Sequence, residues 1–151
     1  MKIPFLAVIC LLIFGSCTKH HISEDEEKIK SVTDNFADQY FNFNLKEAMQ
    51  FCTPESEKWI KFIASNITQE DIDVLKNKPE GATHNTDEII YVNDTLANIK
   101  CHVFNVMKID TIGLRGRVSE HEIYNINVVK RGDKWMIKME GPLQSGKQNH
   151  D

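Results

Sequence analysis

Positive charge is in short supply in this chain: 18 Lys and Arg stand against 22 Asp and Glu in 151 residues. Phosphate backbones demand clustered Lys and Arg, so this balance excludes nucleic acid as a partner class. No apolar run reaches bilayer length. The longest, Ile3 to Phe14, has twelve residues; as a helix it spans about 18 Å against a hydrocarbon core of roughly 30 Å. A local metal-ligand frame is missing as well. The six histidines fall at His20, His21, His84, His102, His121 and His150, and none sits in an H-x-x-E-H or comparable spacing, so neither a metal nor a cofactor is expected. Of the six, His121 would lead if one mattered. Cysteine is scarce too, at four residues: Cys10, Cys17, Cys52 and Cys101.

What is present begins with an address. Lys2 precedes the apolar run, and the small residues Gly15 and Ser16 sit directly before Cys17, with no A-x-A site following within reach. The stretch Phe14-Gly-Ser-Cys17 resembles the lipobox of bacterial lipoprotein signal peptides, with Phe14 where leucine is usual. The resemblance implies that residues 1–16 are removed and that Cys17 becomes an acylated first residue. More than one acyl chain gives stable membrane attachment. The mature chain is therefore expected in the bacterial cell envelope, lipid-anchored at the outer membrane. Residues 17–27 are polar and acidic and read as a solvated tether.

From Ser23 the pattern turns helical. Ser23 and Glu26 have capping-box spacing, and Ile29, Val32, Phe36 and Tyr40 recur on one stripe of a helix ending near Tyr40. Leu45, Ala48, Met49 and Cys52 repeat the spacing in a short second helix. Pro54 opens a third, with Trp59, Phe62 and Ile63 on one side. Thr68 caps a fourth over Gln69 to Lys76, with Asp71 three residues on. After the turn-rich KNKPEGATHNT, strands and turns alternate: EIIYVN, LANIKCHVFNVMKI, RGRVSEHEIYNINVVK and KWMIKME. Tyr124, Ile126 and Val128 share one face, as do Trp135, Ile137 and Met139. Short connections make the pairs antiparallel. Helices first and a meander second predict an α+β class, with N-terminal helices packed on a curved antiparallel sheet. The domain is expected over 28–141, with a disordered tail over 142–151.

An aromatic-striped helix, the N-L-K-E-A of the second helix, Thr53-Pro54-Glu55, and a last strand reading Gly132-Asp-Lys-Trp135-Met-Ile137 together resemble the nuclear-transport-factor-2-like (cystatin-like α+β cone) superfamily. The chain resembles in particular the small bacterial lipoproteins of that fold that carry no assigned activity. The resemblance covers roughly Glu24 to Met139. It implies a cone with a pocket between sheet and helices, used by some members for dehydration, isomerisation or cyclisation and by others for binding or dimerisation. Fold does not fix activity.

The sequence supports a binding or scaffolding module for a small apolar or amphipathic ligand. Two alternatives stand beside it: a small lyase or isomerase, and a structural domain that pairs with another protein or with its own copy as a homodimer. Phe36, Tyr40, Trp59, Phe62, Tyr124 and Trp135 are candidate pocket-lining residues, although each also sits on the apolar face of its element, where core packing alone accounts for it. Strand alternation puts Glu120 and Glu122 on one sheet face and His121 on the other. In an enzyme of the resembled fold, Glu122 at the pocket mouth would be the base, and His102, Asp87 or Tyr91 a partner by accident of register. The Asp–His spacing that the superfamily's enzymes show is absent. Arg115-Gly116-Arg117, near a hairpin tip, reads either as an anion contact or as a solvated loop. Cys52 and Cys101 are either a bridge closing about 48 residues, worth roughly 4 kcal/mol, or two separate buried thiols.

Overall fold

The computed structural model describes residues 17–146, with side chains from Glu24 onward. The expected signal segment, residues 1–16, and the last five residues of the tail lie outside the described residues. Helix α1 (Cys17–Tyr40) is followed by α2 (Leu45–Ala48), which tightens into a 3-10 turn at Met49–Phe51. A second 3-10 turn at Pro54–Ser56 leads into α3 (Glu57–Asn66), and α4 (Gln69–Asn77) completes the helical half. Four strands follow, β1 (Thr83–Asn93), β2 (Leu96–Lys108), β3 (Arg117–Arg131) and β4 (Lys134–Lys138), in the spatial order of the chain and antiparallel throughout. The sheet is curved and unclosed, with helices against one face. This is the expected α+β arrangement.

The expected stripe of α1 faces the sheet: Ile29, Phe36 and Tyr40 are buried, joined by Thr33 and Ala37. The helix runs through Ser23 without a break, so Ser23 does not cap it. The backbone is helical from Cys17 onward, so the segment 17–27, expected as a solvated tether, is continuous with α1. The last part of that segment is fastened to the domain. Asp25 accepts from Lys130 Nζ at 3.0 Å and from Trp135 Nε1 at 3.0 Å, which pins α1 to the end of the sheet where β3 turns into β4. The Trp135 indole and the Lys130 ammonium hold the Asp25 carboxyl below the usual carboxylate range against the effect of partial burial.

Beyond α1, Asn42 clamps the start of β1, accepting from Ala82 N at 2.8 Å and donating to Ala82 O at 3.1 Å. A Cβ on Gly81 would come within 2.9 Å of Asn42 Oδ1, so this approach favours glycine. The Thr53-Pro54 turn is a docking segment for β4. Thr53 N donates to Ile137 O at 2.9 Å, and the buried Ser56 Oγ accepts from Met139 N at 2.8 Å. Thr68 and Asp71 form the expected capping box on α4.

Strand β1 begins at Thr83, inside the stretch read as a break, because Thr83 to Thr86 pair with Phe104 to Cys101. His84 therefore lies on a strand and not in a preceding loop, and reaches Asp34 at 3.2 Å and Asp38 at 3.4 Å on α1. Residues 142–146, the described part of the expected tail, also depart from expectation. Strand β4 pairs with β3 only from Asn127 onward, so the preceding edge of β3 is open. Residues 142–146 take it: Gly146 N donates to Ile123 O at 2.8 Å, and Ser145 bridges Tyr124. Unpaired strand edges are filled where chain is within reach.

Cys52 and Cys101 are separate, buried thiols. Burial pushes both up to about 12, with neighbouring carboxylates adding to the effect, so neither is a thiolate at neutral pH. In native protein at pH 8, alkylation read by peptide mass mapping is expected to leave both unmodified, and denaturation without reductant to expose both. A mass shift showing a Cys52–Cys101 bridge would contradict this arrangement.

Candidate functional site

Between the end of α1, α3, the end of β2, the middle of β3 at Tyr124, and residues 142–145 lies a cavity of about 510 Å³. Its apolar wall comes from the helical half, through Tyr40, Phe41, Phe43, Leu45, Phe62 and Ile63, and from Val106 and Met107 on β2. Phe43 takes φ of 60° in the turn that ends α1, where Asn44 N donates to Gln39 O at 2.9 Å. The aromatic rings form a chain from core to cavity. Phe36 stacks on Tyr40 at 5.0 Å, Tyr40 meets Phe41 edge-on at 5.2 Å, and Phe41 contacts Tyr124 at 4.7 Å. Leu143 closes one side, its N–H donating to the Tyr40 hydroxyl at 3.4 Å.

Polar groups gather at the sheet side. Lys108 lines the cavity and joins Glu122 at 3.0 Å and Asp110 at 3.4 Å. Arg117 Nε continues the strip to Asp110 at 3.0 Å. Glu122 also accepts from Ser119 Oγ at 2.7 Å. Burial pushes its carboxyl up, but hydrogen bonds from Ser119, Ser145 and Lys108 together hold it below the usual range. Such a group is a firm anion and a correspondingly weak base. Burial pushes the Tyr40 and Tyr124 phenols well above their ordinary values, so both stay protonated. Tyr40 uses its oxygen on Leu143 N and has its proton to give; among the described residues the Tyr124 hydroxyl has no hydrogen-bond partner. A ligand with an apolar body and a polar end would find a counterpart for each.

Of the six aromatic residues expected at a pocket, Tyr40, Phe62 and Tyr124 line it. Phe36 is completely buried behind Tyr40. Trp59 packs half-buried against the core with Lys58 Nζ 5.0 Å over its ring, and Trp135 is buried beside Asp25, away from the cavity. Sequence reasoning missed Phe41, Phe43, Leu143 and Lys108. Phe41 and Phe43 fall past the expected end of the first helix near Tyr40, Leu143 falls in the stretch expected as tail, and Lys108 sits near the end of an expected strand.

Glu122 shares the core-side face with Tyr124 and Ile126, as alternation predicts, while Glu120 is exposed. His102 pairs across the sheet with Ile123, whereas its neighbour Cys101 pairs with Tyr124. His102 thus projects from the opposite face, and the sheet separates it from Glu122. Two Asp–His pairs invisible in the spacing do form, Asp87–His102 at 3.1 Å and Asp34–His84 at 3.2 Å, and neither borders the cavity. Among the described residues no three His, Cys, Asp or Glu side chains converge as metal ligands.

No protein-family model and no curated protein sequence matches the chain. Solved structures do. A nuclear-transport-factor-2-like protein of unknown function from Shewanella oneidensis shares 11% identity over 82% of this chain and 99% of its own, with a TM-score of 0.54. A scytalone dehydratase-like protein from Novosphingobium aromaticivorans shares 13% over 85% and 89%, with a TM-score of 0.51. A Mycobacterium tuberculosis protein of unknown function shares 11% over 87% and 78%, with a TM-score of 0.50. At these identities the likeness is one of fold: the chain has the nuclear-transport-factor-2-like fold.

Proposed function

We propose that this chain is a lipid-anchored protein of the bacterial envelope whose cavity binds a small amphipathic molecule. The observation that carries the binding role is the cavity itself. Its volume of about 510 Å³ falls within the roughly 300–1,000 Å³ of small-molecule sites, and aromatic walls face a short strip of charged and hydroxyl groups. The apolar body of the ligand packs on Phe41, Phe43 and Phe62. Its polar end takes hydrogen bonds from the Tyr40 and Tyr124 hydroxyls and from Lys108.

The anchor rests on Gly15-Ser16-Cys17 behind a twelve-residue apolar run. With Cys17 acylated, the 24 residues of α1, at 1.5 Å each, form a strut of about 36 Å between bilayer surface and cavity wall. The strut would present the cavity away from the membrane that holds it.

Binding of 1-anilinonaphthalene-8-sulfonate to the full chain tests the cavity. One saturable site is expected, weakened about tenfold or more by Phe62→Glu, which places a carboxylate on the wall and corresponds to about 1.4 kcal/mol. Phe62 is 40% exposed, so the variant keeps its fold. Unaltered affinity in the variant, or no saturable site, would remove the binding reading. For the anchor, Cys17→Ser is expected to move the protein out of the bacterial membrane fraction, and its retention there would defeat that half of the proposal.

A further inference from the structure

The outward face of the sheet, opposite the cavity, carries a second concentration of reactive side chains. His102 on β2 lies between two partners on flanking strands. Its Nε2 is 3.1 Å from Asp87 Oδ2 on β1, and its Nδ1 is 2.9 Å from His121 Nε2 on β3. A carboxylate only accepts, so His102 carries its hydrogen on Nε2 and turns the Nδ1 lone pair towards His121. The two ring planes lie within 9° of each other, and His121 stacks on Phe104 at 4.7 Å. Three strands and a neighbouring ring therefore hold two nitrogens from separate strands face to face at the surface.

We infer that His102 Nδ1 and His121 Nε2 form a two-imidazole site for a divalent transition metal of the Zn²⁺, Ni²⁺ or Cu²⁺ type, with Asp87 as the outer partner that orients His102. Imidazole nitrogen suits these ions, and a ligating histidine commonly donates its other N–H to a carboxylate, which fixes its tautomer and raises its basicity. Two nitrogens each roughly 2.0–2.1 Å from one Zn²⁺ stand about 3.3 Å apart at the tetrahedral angle. The observed 2.9 Å has to open by only a few tenths of an ångström as the rings turn towards the ion. His121, which donates from Nε2 in the metal-free pairing, moves that hydrogen to Nδ1. The ion then occupies the place of the shared hydrogen, and both rings stay neutral. Because Asp87 is engaged by Nε2 and no third His, Cys, Asp or Glu among the described residues converges, the remaining coordination positions are open to water or to an external donor.

The test uses the full chain carrying His20→Ala, His21→Ala and His150→Ala, which removes the terminal histidines as competing ligands. Zn²⁺ titrated by calorimetry is expected to bind one ion per chain. His102→Ala or His121→Ala is expected to lower the affinity at least 100-fold, and Asp87→Asn by about 10-fold. Cu²⁺ bound to the same background protein is expected to show coupling to two nitrogens in its electron paramagnetic resonance spectrum, a readout that needs no variant at these positions. Absence of stoichiometric Zn²⁺ binding, affinity indifferent to both histidine substitutions, or a Cu²⁺ spectrum without nitrogen coupling would each overturn the site.

Discussion

Asp71→Ala is expected to lower the stability of the domain by about 3–5 kcal/mol, read as a shifted denaturation midpoint with an unchanged slope. Asp71 is completely buried and holds two segments 45 residues apart. One carboxylate oxygen accepts from Thr68 N at 2.8 Å and Thr68 Oγ1 at 2.8 Å, closing the cap of α4. The other accepts from Gly116 N at 2.6 Å, in the connection between β2 and β3. Alanine leaves donors without acceptors where water is excluded, at roughly 1–3 kcal/mol for each, and deletes a helix cap worth about 1 kcal/mol. A Cβ on Gly116 would approach Asp71 Oδ1, Lys108 O and Met107 Cγ to 3.1 Å each, which shows how closely the connection is drawn in.

The same carboxylate fixes the sign of the acid response. Burial raises its pKa, but hydrogen bonds from Thr68 and Gly116, with the Arg115 charge, outweigh burial and leave it lowered. A group whose folded value lies below its unfolded value stabilises the fold above the unfolded value, and the contribution disappears as pH falls through the folded one. Asp25 and Glu122 are shifted the same way. Stability should therefore fall below about pH 4, with a shallower acid limb in Asp71→Asn. A loss under 1 kcal/mol in Asp71→Ala, or an acid limb unchanged by asparagine, would contradict the role given to this residue. Because Gly116 lies against Met107 and the Lys108 backbone, a folded Asp71 variant should also bind the fluorescent probe more weakly.

Phe36→Ala is expected to cost about 3–5 kcal/mol, the range for truncating a buried aromatic residue. Phe36 has no exposed surface and supports Tyr40 from behind at 5.0 Å. Truncation removes transfer energy and leaves a void behind Tyr40, the next ring of the aromatic chain that ends at Tyr124. Phe36→Leu fills most of that volume and should cost much less, about 1–1.5 kcal/mol. Equal midpoints for the two variants in chemical denaturation would mean that the site collapses freely and that Phe36 does not brace the cavity wall.

Local signals carried the architecture. The 3.6-residue stripe of α1, the Thr68–Asp71 cap, strand alternation around Tyr124 and the hairpin turns each depend on neighbours within a few positions, and each appears in the structure. The same short reach explains what was misread. Ser23 has the right spacing for a cap, but nothing next to it interrupts the helix. The 17–27 segment looks like a tether because its composition is acidic, yet Asp25 meets Lys130 and Trp135 more than 100 residues away. Residues 142–146 look like tail because no periodicity marks them; the shortness of β4 leaves them an open strand edge.

The sequence by itself determined the α+β class, the order of the elements and the faces that β3 and β4 turn to the core. Periodicity, capping and turn chemistry act between neighbouring residues and can be read one segment at a time. Only the tertiary structure decided which aromatic rings reach the cavity, that Glu122 is tied to Lys108, that His102 faces away from both and meets His121, and that Cys52 and Cys101 stay apart. Those outcomes depend on sheet register and on how the helices seat against it, and both emerge when distant segments pack together.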